Sequence, residues 1–223
     1  WVAAWNGSSS RVTVFSTSNG GQTWRSADVP VKTTGTEVYP VSLSFIDAQR
    51  GWLMAEPDHG MNSSPGRLFV TTDGGERWSE VARTDGEQGG LPFGGLIAFR
   101  NTSDGWLVGA PVSTINRSMF VTHDGGRTWG EERLALPPGL KGGTLDFGSP
   151  PKFFSLNGKD GILPVTFVPD SRKSNEYATV IYFTRDGGRS WQAPRKLGGT
   201  LEFITMTDAW RWQSEWTCVW AWA

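Results

Sequence analysis

Short apolar stretches of four to six residues, bounded by Gly, Pro, Asp or Asn, recur along the chain, and none extends with the period of a helix. Val41-Ser-Leu-Ser-Phe45, Trp52-Leu-Met-Ala55, Arg67-Leu-Phe-Val-Thr71 and Trp78-Ser-Glu-Val81 read as four β-strands in succession. The order returns at Gly95 to Phe99, Trp106 to Gly109, Ser118 to Thr122 and Trp129 to Arg133. It returns again at Lys152 to Phe154, Gly161 to Val165, Thr179 to Thr184 and Trp191 to Pro194. The pattern predicts an all-β chain of repeated four-stranded units.

Two motifs keep time with these strands. Thr17-Ser-Asn-Gly-Gly-Gln-Thr-Trp24, Thr71-Thr-Asp-Gly-Gly-Glu-Arg-Trp78, Thr122-His-Asp-Gly-Gly-Arg-Thr-Trp129 and Thr184-Arg-Asp-Gly-Gly-Arg-Ser-Trp191 are four versions of one octapeptide. They start 54, 51 and 62 residues apart. Between them falls F-x5-G-W, at Phe45 to Trp52 and Phe99 to Trp106, with a looser copy from Phe154 to Gly161 and a last one from Phe203 to Ala209-Trp210. Asp or Asn before Gly is a strong hairpin signal, because the Gly accepts positive φ and the side-chain oxygen accepts turn N–H groups. Asn19, Asp73, Asp124 and Asp186 are therefore expected to fold the third strand of each unit onto the fourth. Trp24, Trp78, Trp129 and Trp191 open that fourth strand and are expected to pack against a neighbouring unit.

Units of about 50 residues that cannot bury their own faces predict a β-propeller of four-stranded antiparallel blades, one unit per blade. The propeller is expected over residues 1–210, with residues 211–223 as a Trp-rich terminal strand or a non-native tail. Trp1 to Trp5 reads as a second strand and Leu201 to Thr205 as a first. The chain is thus either a four-bladed ring closed by both ends or a piece of a larger ring. The larger ring is the preferred reading, since Trp210 onward starts another second strand.

Composition narrows the partners. With 21 basic and 22 acidic side chains, the net charge of −1 provides no basic field for nucleic acid. No apolar run is long enough to insert as a membrane helix. One Cys and two His exclude an internal disulfide and leave little for a metal site, and no cofactor is expected. A single Asp per turn is likewise too few oxygen ligands for Ca²⁺. Of the 13 Trp, seven belong to the two motifs. Trp210, Trp212, Trp216, Trp220 and Trp222 all fall on even positions, so one continuous strand would carry five indoles on one face, as an edge-closing strand or as an aromatic platform for sugars.

At the octapeptide the sequence resembles the BNR or Asp-box repeat family. Combined with F-x5-G-W, it is most similar to the photosystem II assembly and stability factor propellers found in bacteria, which share the sialidase-superfamily fold. The resemblance implies a fold-stabilising role for the Asp-box residues and does not by itself imply an activity. It departs from the family pattern at Asn19, at Arg77 and at Ile162, which stands where the third unit should have Trp.

The resemblance leaves two functional readings. One is a non-enzymatic binding or assembly-scaffold module, extracellular or on a bacterial cell surface, that recognises a protein or a carbohydrate. The other is a glycoside hydrolase, sialidase-like or of another glycan-cleaving kind. No Arg-Ile-Pro signature is present, and only Tyr39, Tyr177 and Tyr182 could serve as a sialidase nucleophile. Other glycoside hydrolysis requires two converging carboxylates. The loops joining second to third strands and fourth to next first strands share one face. They include 56–66, 85–87, 111–117, 141–146 and 170–176, and their candidate binding residues are Glu56, Asp58, His59, Asp85, Glu87 and Asp170. The plain alternative for each is a solvated loop side chain. His123, at a variable turn position, is expected to be exposed.

Overall fold

The computed structural model describes residues 1–5, 11–32, 38–57, 65–84, 90–110, 116–137, 139–155, 158–170, 177–197, 200–203, 209–212 and 219–221. They are all-β, with no helix among them. The chain divides into two compact units, residues 1–115 with 119–132, and residues 116–118 with 133–223.

The first unit holds three antiparallel sheets. The first contains β1 (Val2–Trp5), β2 (Val12–Ser16) and β3 (Arg25–Val29) in that order. The second contains β4 (Val38–Phe45), β5 (Gly51–Pro57), β6 (Arg67–Thr71) and β7 (Ser79–Arg83). The third contains β8 (Leu96–Phe99), β9 (Gly105–Gly109), β10 (Ser118–Thr122) and β11 (Gly130–Glu132). Each strand pairs with the next in sequence, as four short strands joined by hairpins require.

Within this unit the consecutive sheets stack face to face. Val12, Val14 and Val29 of the first sheet form one core with Leu53, Ala55, Phe69 and Trp78 of the second. Trp52, Met54 and Leu68, from the second sheet's other face, form the next core with Ile97, Phe99 and Leu107 of the third. Alternation along a strand explains this division, since odd positions of β5 face one neighbour and even positions the other. A sheet covered on both faces needs apolar residues at every position, and β5 of the second sheet is correspondingly buried almost throughout.

An aromatic clasp repeats at both stacking interfaces. The Trp1 indole lies on the Phe45 ring with centroids 3.9 Å apart, and its N–H donates to the Gly74 carbonyl at 2.8 Å. Trp52 lies on Phe99 at 3.9 Å, and its N–H donates to the Gly125 carbonyl at 3.1 Å. The turn Trp then meets the Phe edge-on, Trp78 to Phe45 at 6.1 Å and Trp129 to Phe99 at 6.2 Å.

The clasp accounts for F-x5-G-W. Phe45 opposes Gly51 and Phe99 opposes Gly105 in the strand register. A Cβ at either glycine would lie 2.6 Å from the Phe ring, so only Gly lets the ring lie flat beside the strand. Trp52, which follows Gly51, points to the opposite face, toward the third sheet.

In the second unit, β14 (Gly161–Pro169) pairs with β15 (Ala178–Thr184), which pairs with β16 (Gln192–Leu197). Two pieces lie along β14 in the place of a first strand, β12 (Gly143–Asp146) and β13 (Lys152–Phe153). This corrects two expectations. Residues 141–146 were expected as loop, yet Gly143–Asp146 pairs with Thr166 to Pro169. And Phe153, not Phe154, holds the motif position, opposite Gly161 and against it. The connecting loop is two residues longer here, which displaced the spacing.

A last sheet orders β17 (Thr200–Phe203), β18 (Ala209–Trp212) and β19 (Val219–Ala221). β18 and β19 run antiparallel with Trp210 opposite Trp220, so Trp210 and Trp212 stand on one strand and Trp220 on another, not on a single continuous strand; Trp216 and Trp222 lie outside the described residues.

Gly105→Ala is expected to cost about 1–3 kcal/mol through forced displacement of Phe99, and Trp52→Ala about 3–5 kcal/mol. Urea midpoints measure both, and a midpoint for Gly105→Ala equal to that of the parent would refute the flat-ring explanation.

Candidate functional site

The two ends of each sheet differ in chemistry. One end carries the hairpins between first and second and between third and fourth strands. The other carries the second-to-third loops and the connections between sheets, where the candidate binding residues fall.

At the hairpin end the four Asp/Asn-Gly-Gly turns are nearly superimposable in their bonding. The Thr71, Thr122 and Thr184 hydroxyls each donate to the Asp73, Asp124 and Asp186 carboxylates at 2.8 Å. The same hydroxyls accept the N–H of Gly75, Gly126 and Gly188 at 2.8 to 2.9 Å. The carboxylate then accepts the N–H of Arg77, Thr128 or Ser190 across the turn. Thr128 and Ser190 add a hydroxyl bond at 2.6 Å. In the first copy the Asn19 amide plays both parts, accepting from the Thr23 N–H and donating to its hydroxyl at 2.9 Å.

Gly126 shows why the second glycine is needed. Its φ is +97°, and a Cβ there would collide with Leu68 of the second sheet. The first glycine of three turns is tied to the neighbouring loop of its own sheet, with N–H bonds from Gly74 to the Gln49 carbonyl, Gly125 to Ser103 and Gly187 to Lys159, all at 2.8 to 2.9 Å. Trp24, Trp78 and Trp129 return their indole N–H to the Gly21, Gly75 and Gly126 carbonyls. Trp191 does not, and its buried Nε1 has no partner.

The loops of F-x5-G carry a further repeated device that the sequence reading missed. Asp47 accepts the N–H of Gln49 and Arg50, Asn101 those of Ser103 and Asp104, and Ser155 those of Lys159 and Asp160. In each case the acceptor stands two residues after the motif Phe. That position was open to inspection in the sequence as Asp, Asn or Ser.

These bonds hold carboxylates ionised. Burial raises the Asp124 pKa, but bonds from the Thr128 hydroxyl and N–H, Thr122 and Arg127 outweigh it and bring it to about 2. Asp186 is drawn to about 2, chiefly by the Ser190 hydroxyl and N–H against burial. Asp73 is lowered mainly by the Arg77 N–H. His123 is exposed as expected, and it also contacts Asp104 at 2.9 Å. Asp104 accepts from Asn101 and Arg100 as well, and its pKa is lowered although burial opposes this.

At the loop end, Glu56 is the next-to-last residue of β5, half-buried, opposite Tyr39. Its side chain lies against Gly94, where a Cβ would collide with the carboxylate. Tyr39 packs against Trp5 at the end of β1, rings 4.6 Å apart and tilted 49°. Trp5 remains 37% exposed. Glu56, Tyr39 and Trp5 thus stand at the same end of two adjacent sheets, an aromatic pair with a carboxylate nearby. In the second unit Asp170 follows β14, exposed, its N–H bonded to the Gly142 carbonyl at 2.8 Å. Asp58, His59, Asp85 and Glu87 lie outside the described residues. Tyr182 is ill suited to be a nucleophile. Its hydroxyl donates to the Ala135 carbonyl and burial pushes its pKa up to about 12. Tyr177 is exposed.

Antiparallel four-stranded sheets, stacked face to face with this clasp, define an all-β fold of β-propeller blades. Among solved structures the chain is similar to YCF48 bound to D1 peptide, at 17% identity and TM-score 0.38, covering 90% of this chain and 83% of that one. It is similar to YCF48 from Cyanidioschyzon merolae, at 19% identity and TM-score 0.37, covering 82% of this chain and 55% of that one. It is also similar to the α-L-arabinofuranosidase Arb93A from Fusarium graminearum in complex with an iminosugar inhibitor, at 14% identity and TM-score 0.42, covering 77% of this chain and 51% of that one. The chain spans about half the length of the last two. No family model matches the chain, and no curated protein does.

Asp124 and Asp186 carry folded-state pKa values near 2 against an ordinary 3.8, so their bonds stabilise the fold fully above pH about 4. That contribution is lost as pH falls from about 4 to about 2. Urea midpoints measured across this range are expected to fall, with a smaller drop in the Asp124→Asn/Asp186→Asn double variant, whose amides can reproduce the Asn19 arrangement. An equal drop in parent and variant would show that the turns do not carry the acid sensitivity.

Proposed function

We propose that the chain is a non-enzymatic binding or assembly-scaffold module that recognises a protein or a glycan through the loop end of its sheets. We further propose that its Asp/Asn-Gly-Gly turns are Asp-boxes of the BNR type, that they serve the fold and not the ligand, and that the module works outside a bacterial cell or on its surface. The observation that carries the reading is the division between the two ends. At the hairpin end, Asp73, Asp124 and Asp186 are engaged in turn bonds. At the loop end, Trp5 and Tyr39 offer a partly exposed aromatic pair, the kind of surface on which a sugar ring or an apolar peptide side chain stacks. Glu56 stands at the same end of the sheets, opposite Tyr39.

The competing reading is glycoside hydrolysis, which needs a second carboxylate about 5–10 Å from the first. Glu56 is the carboxylate it would start from.

Two experiments separate the readings. On a glycan microarray and an immobilised peptide array, the parent chain is expected to bind a defined subset. Trp5→Ala and Tyr39→Ala should each weaken that binding at least about tenfold, the loss of a stacked aromatic contact. Fluorogenic arabinofuranosides and sialosides are expected to remain uncleaved. Turnover that Glu56→Gln abolishes would overturn the proposal in favour of a hydrolase, and array binding indifferent to both aromatic substitutions would remove the loop end as the site.

A further inference from the structure

Four turns of one bonding pattern carry two chemistries. Asp73, Asp124 and Asp186 are carboxylates, each fixed by the Thr hydroxyl before it and by an N–H across the turn. An ionised carboxylate resists attack by the nitrogen of the glycine that follows it. At the first turn the same place holds a neutral amide, Asn19, followed by Gly20. The amide carbon is an electrophile, and glycine has no side chain to shield the nitrogen that would reach it.

The bonds of the turn bear on that carbon. Asn19 Oδ1 accepts the Thr23 N–H at 2.9 Å and the Thr17 hydroxyl at 3.0 Å. Addition of the Gly20 nitrogen to Cγ makes Oδ1 an oxyanion, and both donors already stand at the distance that stabilises such a charge. The Thr17 hydroxyl is itself held, accepting the Gly21 N–H at 2.9 Å. On the other side of the amide, Nδ2 donates to the Thr23 hydroxyl at 2.9 Å. Once an oxygen replaces that nitrogen, the hydroxyl need only rotate to donate in its turn, as Thr128 and Ser190 do to Asp124 and Asp186 at 2.6 Å.

We propose that Asn19 is a site of self-modification, where the folded chain deamidates to aspartate and so completes a fourth acidic turn. The Gly20 nitrogen gives up its proton to water and bonds to Asn19 Cγ. The Cγ–Nδ2 bond breaks, and Nδ2 leaves as ammonia with a proton returned from water. One water molecule then opens the cyclic imide. Opening at Cγ gives aspartate on an unchanged backbone, whereas opening at the main-chain carbonyl gives isoaspartate, whose backbone is one methylene longer. The bond from the Gly21 N–H back to Thr17 and the positive φ of Gly20 and Gly21 fit only the shorter path. Isoaspartate closes again to the imide, while aspartate, held as Asp124 and Asp186 are, persists. The conversion adds one negative charge to a chain whose net charge is −1.

The test incubates the whole chain in mildly alkaline buffer, with and without guanidinium chloride, and follows the tryptic peptide Val12–Arg25 by mass. The peptide is expected to gain about one mass unit as NH₂ becomes O⁻, at least about threefold faster in the folded chain than in the unfolded one. It should co-elute with the same peptide from an Asn19→Asp variant, which separates aspartate from isoaspartate. Thr17→Val, which removes one oxyanion donor, should slow the folded reaction about threefold to tenfold and leave the unfolded rate unchanged, and Thr17→Ser should restore it. An amide that survives in the folded chain while it is lost in denaturant, a product that is chiefly isoaspartate, or a Thr17→Val chain of unchanged circular dichroism that reacts at the parent rate would each overturn the proposal.

Discussion

The indole that lies on a phenylalanine of the next sheet and hands its N–H to that sheet's turn carbonyl is the contact on which the first unit depends. It joins three things a sheet stack needs: buried area, a satisfied polar group and a fixed register. A Trp ring contributes 150–250 Å² of area, the largest share available to one side chain. Its N–H would be costly to bury without an acceptor, and the Gly74 and Gly125 carbonyls supply one. Sliding one sheet along the other breaks both terms together, so the stacking is specific as well as favourable.

The turn is shaped to offer that carbonyl. Two consecutive glycines at positive φ bend the chain so that the first carbonyl faces the preceding sheet, and the second glycine lets Leu68 pass close to Gly126. The Asp and Thr side chains hold this bend by taking up turn N–H groups that a tight reversal leaves unpaired. The depressed carboxylate pKa values are the same fact stated electrostatically. A carboxylate fixed by two or three donors is a good structural element and a poor catalyst, since it neither gives nor takes a proton near neutral pH.

Much of this was legible in the sequence because each device has a local signature. Asp-Gly-Gly announces its hairpin, and F-x5-G-W announces the flat Phe beside Gly. Legibility failed where a device tolerates variable spacing. The third F-G loop gained two residues, so counting pointed to Phe154 while pairing selects Phe153. Gly143–Asp146 is four residues rich in turn formers, and only its ladder with β14 makes it a strand. Of the loop-end candidates, Glu56 lies within the last two residues of β5, where a loop was expected, and Asp170 directly follows β14. The aromatic pair beside Glu56 was hidden, because Trp5 and Tyr39 are 34 residues apart and meet only when two sheets stack.

The internal repeats also show where the fold releases its hold. At the start of the second strand the clasp demands a small residue and then an aromatic one, and Gly51-Trp52 and Gly105-Trp106 comply. Four residues later the equivalent positions are Trp5, Glu56, Ala110 and Thr166, four side chains with nothing in common. A position that accepts an indole, a carboxylate, a methyl and a hydroxyl within one chain is not set by the stacking of sheets. Repeated blades built on closely similar turns can therefore present different chemistry at their far ends, and a ligand recognised there would be selected by the residues that the architecture leaves free to differ.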